Sequence, residues 1–262
     1  MKWRHQCASE WLDARKDVIT ATELIGLVPK WRKSVGVKTV KIDPILELWA
    51  EKNSVQEQDT LSWDWAARGH CMEPYAVDDW NKYVGGTKMY HWDDVIIKNG
   101  NIGFSPDAMD IMPPWMECPG KENFSLTYEN GMLYGNGFTC RGPNEILEIK
   151  SYAPKKHILK CTGKTDIDER WQIAMAMMVC DTIESASVVF YNPSFPTCKL
   201  MPMTYTRDQL DEEIEDLRKT LDWYLKGIDV INGVIGSGIG YESDYTEKQI
   251  WEESCGQEWT TV

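Results

Sequence analysis

Three residues of this chain have the types and spacing that chemistry on a phosphate ester needs. Asp107 stands in "GFSPDAMDIM" (103–112), directly after a Ser-Pro pair at the mouth of a strand. Glu148 and Lys150 stand two apart in "NEILEIKS" (144–151), in a second strand one loop later. Residues two apart on a strand point to the same face, so Glu148 and Lys150 project together while Leu147 and Ile149 point the other way. Two carboxylates converging from neighbouring strands can bind a hard cation such as Mg²⁺ through oxygen. Such a cation lowers the pKa of its bound water and offsets charge building on phosphorus, and a nearby lysine helps position or deprotonate that water. Glu148–Lys150 is the only Asp/Glu-x-Lys in the chain, and it lies inside an apolar strand. The competing reading is an exposed cross-strand ion pair, worth on the order of a few tenths of a kcal/mol. Asp107 is harder to assign to packing, because Ser-Pro-Asp interrupts strand pairing with no visible apolar gain.

The elements that must position these residues are legible in outline. "SEWLDARKDVITATELIGLV" (9–28) predicts a short helix, a break and a second helix, capped by Thr20 or Thr22. Residues 30–60 are mixed and polar, with a helical patch at "PILELWAEK". "SWDWAARGHCMEPYAVDDWNKYVG" (62–85) predicts a helix with Glu73 near its apolar stripe and Pro74 marking a start or a kink. Residues 88–112 predict two strands joined at Asn99-Gly100. Residues 113–143 are rich in Gly, Pro and Asn, and predict an insertion with a small hairpin turning at Asn130-Gly131. "DERWQIAMAMMVCD" (168–181) is apolar on nearly every side and predicts a buried helix, followed by a core strand at 185–193. "RDQLDEEIEDLRKTLDWYLKG" (207–227) predicts an amphipathic helix ended by Gly227. This order predicts an α+β fold, a mixed α/β sheet with a helix on each face. One domain is expected over 1–230 with its insertion at about 113–143, and a Gly-rich, then acidic C-terminal tail over 231–262.

Composition narrows the function classes. A chain of 262 residues that is 42% hydrophobic suits one large domain with insertions. No run of about eighteen uncharged apolar residues exists to span a bilayer, and "MKWRHQCASEW" lacks the apolar core of a signal peptide. A cytoplasmic protein with no membrane partner is expected. The eight cysteines are scattered, with no CxxC pair. A zinc ribbon or iron–sulfur cluster with local ligand spacing is therefore not expected, and free thiols are. A net charge of −13 argues against a nonspecific DNA coat. It leaves room for a local groove lined by "PKWRKSVGVKTVK" (29–41) and "SYAPKKHILKCTGK" (151–164). Lys155, Lys156, Lys160 and Lys164 in the second stretch are candidate phosphate contacts, the alternative being a solvated loop.

Five motifs occur in order: "ITATE" (19–23), "RGHCMEPYA" (68–76), "FSPD" (104–107), "LEIK" (147–150) and "WQIAMAMMV" (171–179). Together, over roughly residues 9 to 192, they resemble the phage lambda-type exonucleases, also called YqaJ-type viral recombinases, of the PD-(D/E)xK nuclease superfamily. The resemblance implies a restriction-endonuclease-like core with flanking helices, using Mg²⁺, for which Mn²⁺ substitutes. It implies an enzyme that digests one strand of linear double-stranded DNA from the 5′ end. The 3′ single strand would pass to a phage single-strand annealing protein, and the enzyme would be a ring-shaped homo-oligomer, such as a trimer, in the host cytoplasm. Carried over residue by residue, Asp107 and Glu148 resemble the primary metal ligands, with the Ile149 carbonyl a third and Lys150 the catalytic lysine. Glu73 resembles the carboxylate serving a second metal, and Gln172 the helix glutamine beside the site. Arg15, Thr22 and Ser105 resemble the pocket for the 5′-phosphate. Two features depart from the pattern. The long stretch between Asp107 and Glu148 would reshape the DNA channel or block duplex access, and the acidic balance would confine positive charge to 29–41 and 151–164. The rival readings are a PD-(D/E)xK endonuclease, restriction-like or structure-specific, and a non-catalytic DNA-binding module. The complete Asp107, Glu148, Lys150 set favours an enzyme.

Overall fold

Two mixed β-sheets meet at the segment that carries Asp107. The computed structural model describes residues 14–34, 63–92, 95–116, 125–135, 137–161, 167–195 and 197–235. The first sheet contains β1 (Ile19–Thr20), β3 (Ile96–Asn99), β4 (Ile102–Phe104), β6 (Ser125–Glu129), β7 (Met132–Gly135) and β8 (Phe138–Arg141), in the order β1-β4-β3-β6-β7-β8. The second contains β2 (Tyr90–His91), β5 (Ala108–Met109), β9 (Glu145–Lys150), β10 (Ser185–Tyr191) and β11 (Leu200–Thr206), in the order β11-β10-β9-β5-β2.

The hairpin expected over 88–112 belongs to both sheets. β3 pairs with β4 in the first and β2 with β5 in the second. The arms cross over between Trp92 and Val95 and at Ser105-Pro106-Asp107. There the Trp92 N–H donates to the Asp107 carbonyl at 3.0 Å. Pro106 has no N–H for a ladder, so the strand can leave one sheet for the other at little loss. At the hairpin tip Asn99 pairs with Ile102 and Gly100 takes φ 57°. The second expected turn also forms. Glu129 opposes Met132 around Asn130 (φ 50°) and Gly131 (φ 79°), the pair of positive φ angles that a type I′ turn requires. With β8 the insertion is a three-stranded meander that extends the first sheet outward from β3.

Among the described residues, helices flank the sheets at α1 (Ala21–Ser34), α2 (Trp63–Asp79), α3 (Pro154–Cys161), α4 (Ile167–Val179) and α5 (Asp211–Ile235). The alternation of β9 distributes them. Leu147 and Ile149 pack with Ala76 and Val77 of α2 and with Val189 and Tyr191 of β10. Ile146, Val188 and Phe190 face a larger core with Trp171, Ile173 and Met177 of α4, Leu24 and Leu27 of α1, and Ile214 and Leu217 of α5. The expected helix on each face of a mixed sheet is thus present. The buried helix α4 ends where its last carbonyls find donors elsewhere. Asn99 Nδ2 donates to the Val179 carbonyl at 2.8 Å, and Arg207 Nη2 reaches the carbonyls of Met177, Cys180 and Ile183 at 3.0, 3.0 and 2.9 Å.

Three expectations need correction. The last helix does not stop at Gly227 but runs to Ile235, taking in the start of the supposed tail. Ile228 and Ile231 continue its apolar stripe into the core, which outweighs the roughly 1 kcal/mol that glycine costs inside a helix. β11 was not anticipated. It is an edge strand containing Pro202, antiparallel to β10, and its weak alternation hid it. The helix expected over 62–85 ends in a π-helical turn, Trp80–Val84, and Pro74 lies within its α-helical part. The patch "PILELWAEK" and the segment after Ile235 lie outside the described residues. Among those described, no helix is long and apolar enough to cross a membrane.

Candidate active site

A cleft of about 250 Å³ opens where the crossover passes β9 and the start of α1. β9 supplies Glu148 and Lys150 on one face, as the two-residue spacing requires, and Lys150 Nζ donates to Glu148 Oε1 at 2.5 Å. β5 begins at Ala108, opposite Leu147. Beyond it the Asp107 side chain continues the ladder, its Oδ2 accepting from the Ile149 N–H at 2.6 Å. The Ser-Pro-Asp interruption therefore has a structural consequence. It withdraws backbone from β9 and puts a carboxylate in its place, beside Glu148.

α2 contributes Glu73, which is buried. Its Oε2 lies 3.2 Å from Nδ1 of His70, one turn earlier, and 3.4 Å from Nε2 of His91 on β2. Arg68, further along the same helix, donates to the hydroxyl of Ser151 at 2.8 Å and so ties α2 to the residue after Lys150. At the entrance to α1, Thr20 is the residue before the helix. Its N–H and hydroxyl both donate to Glu23 Oε2, at 2.6 and 2.8 Å. This is the reciprocal half of a capping box. Arg15 Nη2 donates to the Thr20 hydroxyl at 3.3 Å. Thr20 rather than Thr22 is thus the capping residue, and Thr22 stands exposed on the first turn of α1. Ser105 donates to the Val95 carbonyl at 2.5 Å, bracing the two arms of the crossover. Arg15, Thr22, Ser105 and Gln172 of α4 all line the same cleft as Glu73, Asp107, Glu148, Ile149 and Lys150.

The charges in the cleft respond to one another. Burial, then the nearby Glu148 and Glu73 carboxylates, push the Asp107 carboxyl well above its usual range, against Lys150 and the Ile149 N–H. Burial alone would raise Glu73 as well, but hydrogen bonds from His70 and His91 bring it below its usual value. Burial would lower Lys150, but Glu148 and Asp107 outweigh it and hold the ammonium above its usual value. Burial lowers the Arg15 guanidinium against the pull of Glu23. Glu73, Asp107 and Glu148 line the cleft with carboxylate oxygens, the donor type that a hard divalent cation takes. The mutual repulsion that raises Asp107 is what such a cation would relieve.

None of the described residues of the basic stretch 151–164 lines this cleft. Lys156 is exposed on α3, its Nζ 3.8 Å from the centre of the Tyr152 ring. The side chain of Lys155, together with Lys164 and residues 35–41 of the other basic stretch, lies outside the described residues. Lys160 is not available to phosphate. It is buried and paired with Glu169 at 2.9 Å, and Glu169 also accepts from the Tyr152 hydroxyl at 2.5 Å. Reading this stretch as uniformly solvent-facing overlooked that helix α3 has an inner face. His70 was readable from its three-residue spacing to Glu73, whereas His91 and Glu169 meet their partners only through the fold. None of the insertion's described residues lines the cleft.

The fold is a mixed α/β fold similar to that of solved exonucleases. It is similar to the alkaline exonuclease LHK-Exo from Laribacter hongkongensis, with a TM-score of 0.55 and 18% identity over 87% of this chain and 98% of that one. The same exonuclease in complex with dAMP gives 0.53 and 17% over the same shares. A phage related exonuclease from Haemophilus somnus 129PT gives 0.52 and 10%, over 83% of this chain and 96% of that one. No family model matches the chain, and no curated protein matches it in sequence. At these identities the likeness is one of fold, and at that level it bears out the resemblance to lambda-type exonucleases.

Proposed function

We propose that this chain is a divalent-metal-dependent nuclease, specifically a 5′–3′ exonuclease that shortens one strand of linear double-stranded DNA. The observation that carries this reading is the convergence of Asp107, Glu148, Ile149, Lys150 and Glu73 with Arg15, Thr22, Ser105 and Gln172 in one cleft of an exonuclease fold. Asp107 and Glu148 would hold the primary metal with the Ile149 carbonyl, and Glu73 a second. Mg²⁺ suits this donor set, and Mn²⁺ would substitute. When bound, the metal supplies an activated water and offsets the charge on the scissile phosphate. The rest falls to the protein. The Ile149 N–H fixes the Asp107 side chain, so the carboxylate needs no reordering to act. Lys150, whose ammonium Glu148 and Asp107 hold above its usual value against burial, helps position or deprotonate the attacking water and offsets charge on the phosphate. Gln172 lines the cleft from α4 and positions the same water or phosphate through its amide. Arg15 and Thr22 sit at the amino end of α1, where unpaired amides and the helix dipole favour an anion, and Ser105 adds a hydroxyl. Together they form the proposed 5′-phosphate pocket, which is what would give the enzyme its starting end.

In this reading the product is a 3′ single-stranded tail for recombination by strand annealing, and the partners are DNA ends and a phage annealing protein. The active form is a ring-shaped homo-oligomer in the host cytoplasm. The test is digestion of 5′-phosphorylated linear duplex with Mg²⁺, with strand polarity read from end labels beside a closed circular control. Loss of the 5′ label first, with the circle intact, is the expected result. Cleavage of the circle would establish the endonuclease reading instead. No cleavage and no divalent-metal binding would leave a DNA-binding module.

A further inference from the structure

Away from the cleft, three soft-ligand side chains converge that the proposed reaction does not use. His157 and Cys161 lie one turn apart on α3, the four-residue spacing that puts two side chains on one face of a helix. Cys198 comes from the loop that joins β10 to β11. One ligand atom from each lies within 4.8 Å of the other two. Among the described residues this is the one such group of histidine, cysteine and carboxylate side chains. None of the three lines the catalytic cleft.

We propose that His157, Cys161 and Cys198 form a separate metal site for a borderline-soft divalent ion of the Zn²⁺ class. Imidazole and thiolate together select Zn²⁺ over Mg²⁺ or Ca²⁺, and two thiolates neutralise its charge. Bonds of about 2.3 Å to sulfur and about 2.0 Å to nitrogen at tetrahedral angles set neighbouring ligand atoms roughly 3.5–3.8 Å apart. Cys161 Sγ already lies 3.5 Å from His157 Nε2. His157 Nε2 donates to the Cys198 carbonyl at 2.7 Å, so the ring faces the loop that carries the third ligand, and metal binding would replace this hydrogen bond with the ring proton moved to Nδ1. The ligands stand on ordered backbone. Phe195 stacks on the His157 ring with centres 5.5 Å apart. The loop is closed by the Asn192 N–H to the Lys199 carbonyl at 2.9 Å and the Cys198 N–H to the Phe195 carbonyl at 3.1 Å. His157 is fully buried and the cysteines half-buried.

The topology says what such an ion would do. β9 and β10 are parallel, with Lys150 opposite Phe190, so both strands end on the same side. α3 begins four residues after Lys150, and the Cys198 loop follows β10 directly. A metal bound to both would clamp together the exits of the strand that carries Glu148 and Lys150 and of its neighbour. It would act as a structural staple, binding the native state and not the unfolded chain.

The test uses the full chain carrying Asp107→Asn and Glu148→Gln, so that the cleft does not compete for metal. The protein is kept reduced and stripped with chelator, then titrated with Co²⁺. The expected result is a thiolate-to-cobalt charge-transfer band that saturates near about one equivalent per chain. Zn²⁺ should bleach the band, and Cys161→Ser with Cys198→Ser should abolish it. A second measurement leaves the ligands unsubstituted: alkylation mapped by mass spectrometry. Zn²⁺ but not Mg²⁺ should slow modification of Cys161 and Cys198 by about ten-fold or more and leave Cys71 unaffected. The proposal is overturned by the absence of a band, by a band that survives the double substitution, or by alkylation at both positions indifferent to Zn²⁺. Recovery of a Cys161–Cys198 disulfide from the reduced protein in place of the metal would also overturn it.

Discussion

Asp107 concentrates the tension between stability and chemistry. Its carboxyl titrates well above its usual range because burial, Glu148 and Glu73 oppose the charge. A carboxyl raised in this way holds its proton more tightly in the folded state than in the unfolded one. The stability linked to that proton is fully present below the unfolded pKa and is lost as pH rises through the folded pKa. Above its folded pKa and without metal, the ionised side chain therefore opposes folding. Asp107→Asn keeps an acceptor for the Ile149 N–H and removes the charge. It should stabilise the chelated protein by about 0.5–2 kcal/mol, more in alkaline than in mildly acidic buffer, while nuclease activity falls by orders of magnitude. Thermal melts at the two pH values check this, and a variant no more stable than wild type in alkaline buffer contradicts it. Arg15 supports a second prediction at this scale. A charge-assisted hydrogen bond to a terminal phosphate is worth about 1.5–3 kcal/mol. Arg15→Ala should therefore erase a roughly ten- to hundred-fold preference for 5′-phosphorylated over 5′-hydroxyl ends and leave metal binding unchanged. Initial rates on the two end types decide it.

At the scale of elements, the meander β6–β7–β8 and its junction with β9 depend on close backbone approaches. Gly142 follows β8, and its N–H donates to the Gly131 carbonyl at 2.7 Å, fastening the strand end to the type I′ turn. A methyl at this position would stand 2.4 Å from Thr182 Oγ1 and 2.7 Å from Tyr128 Cε2. The Tyr128 hydroxyl is in turn bonded to Asp181, so the ring has little freedom to withdraw. Gly142→Ala should destabilise the fold by about 1–3 kcal/mol through overpacking, as a lower midpoint in urea with an unchanged slope. None of the meander's described residues lines the cleft, so turnover per folded molecule should stay near wild type. A midpoint equal to wild type would mean that the strand end shifts freely.

At the scale of the whole molecule, the question is how a chain of net charge −13 would hold a polyanion in the proposed reading. Sign matters less than where each cation is placed. Lys160 is committed to Glu169 inside the protein, whereas Lys156 is exposed on the outer side of the same helix. Replacing Lys155 and Lys156 by glutamine should reduce the salt dependence of DNA binding by a slope of roughly 0.9 for each phosphate they neutralise. Lys160→Ala should leave that slope alone and instead cost about 3–5 kcal/mol of stability, because it strands a buried carboxylate. Binding isotherms across a salt series and denaturation of both variants separate the roles. A lowered slope for Lys160→Ala would mean that the helix turns over when DNA binds. The proposed ring would appear in light scattering as a particle several times the 30.2 kDa chain mass, and a monomer at working concentration would remove that part of the reading.

The sequence by itself determined the features that depend on neighbours a few residues away. The alternation of 145–150 put Glu148 and Lys150 on one face. Asn130-Gly131 specified its turn through backbone angles that few other residues accept, and the apolar wrap of 168–181 marked a helix buried on all sides. Glu148 and Lys150 were legible for the same reason, whereas Glu73, Gln172, Arg15, Thr22 and Ser105 were expected only through the family resemblance. Tertiary structure decided which side chain meets which across tens of residues. It gave His91 to Glu73 and Asp107 to the Ile149 N–H. It turned Lys160 inward to Glu169, carried α5 past Gly227, and brought Cys198 to His157. None of these leaves a local mark, because periodicity says which face of an element is buried and not what lies against it. That second choice is made by packing the whole chain at once, where a buried charge must find its partner and a helix runs on while its apolar stripe is covered.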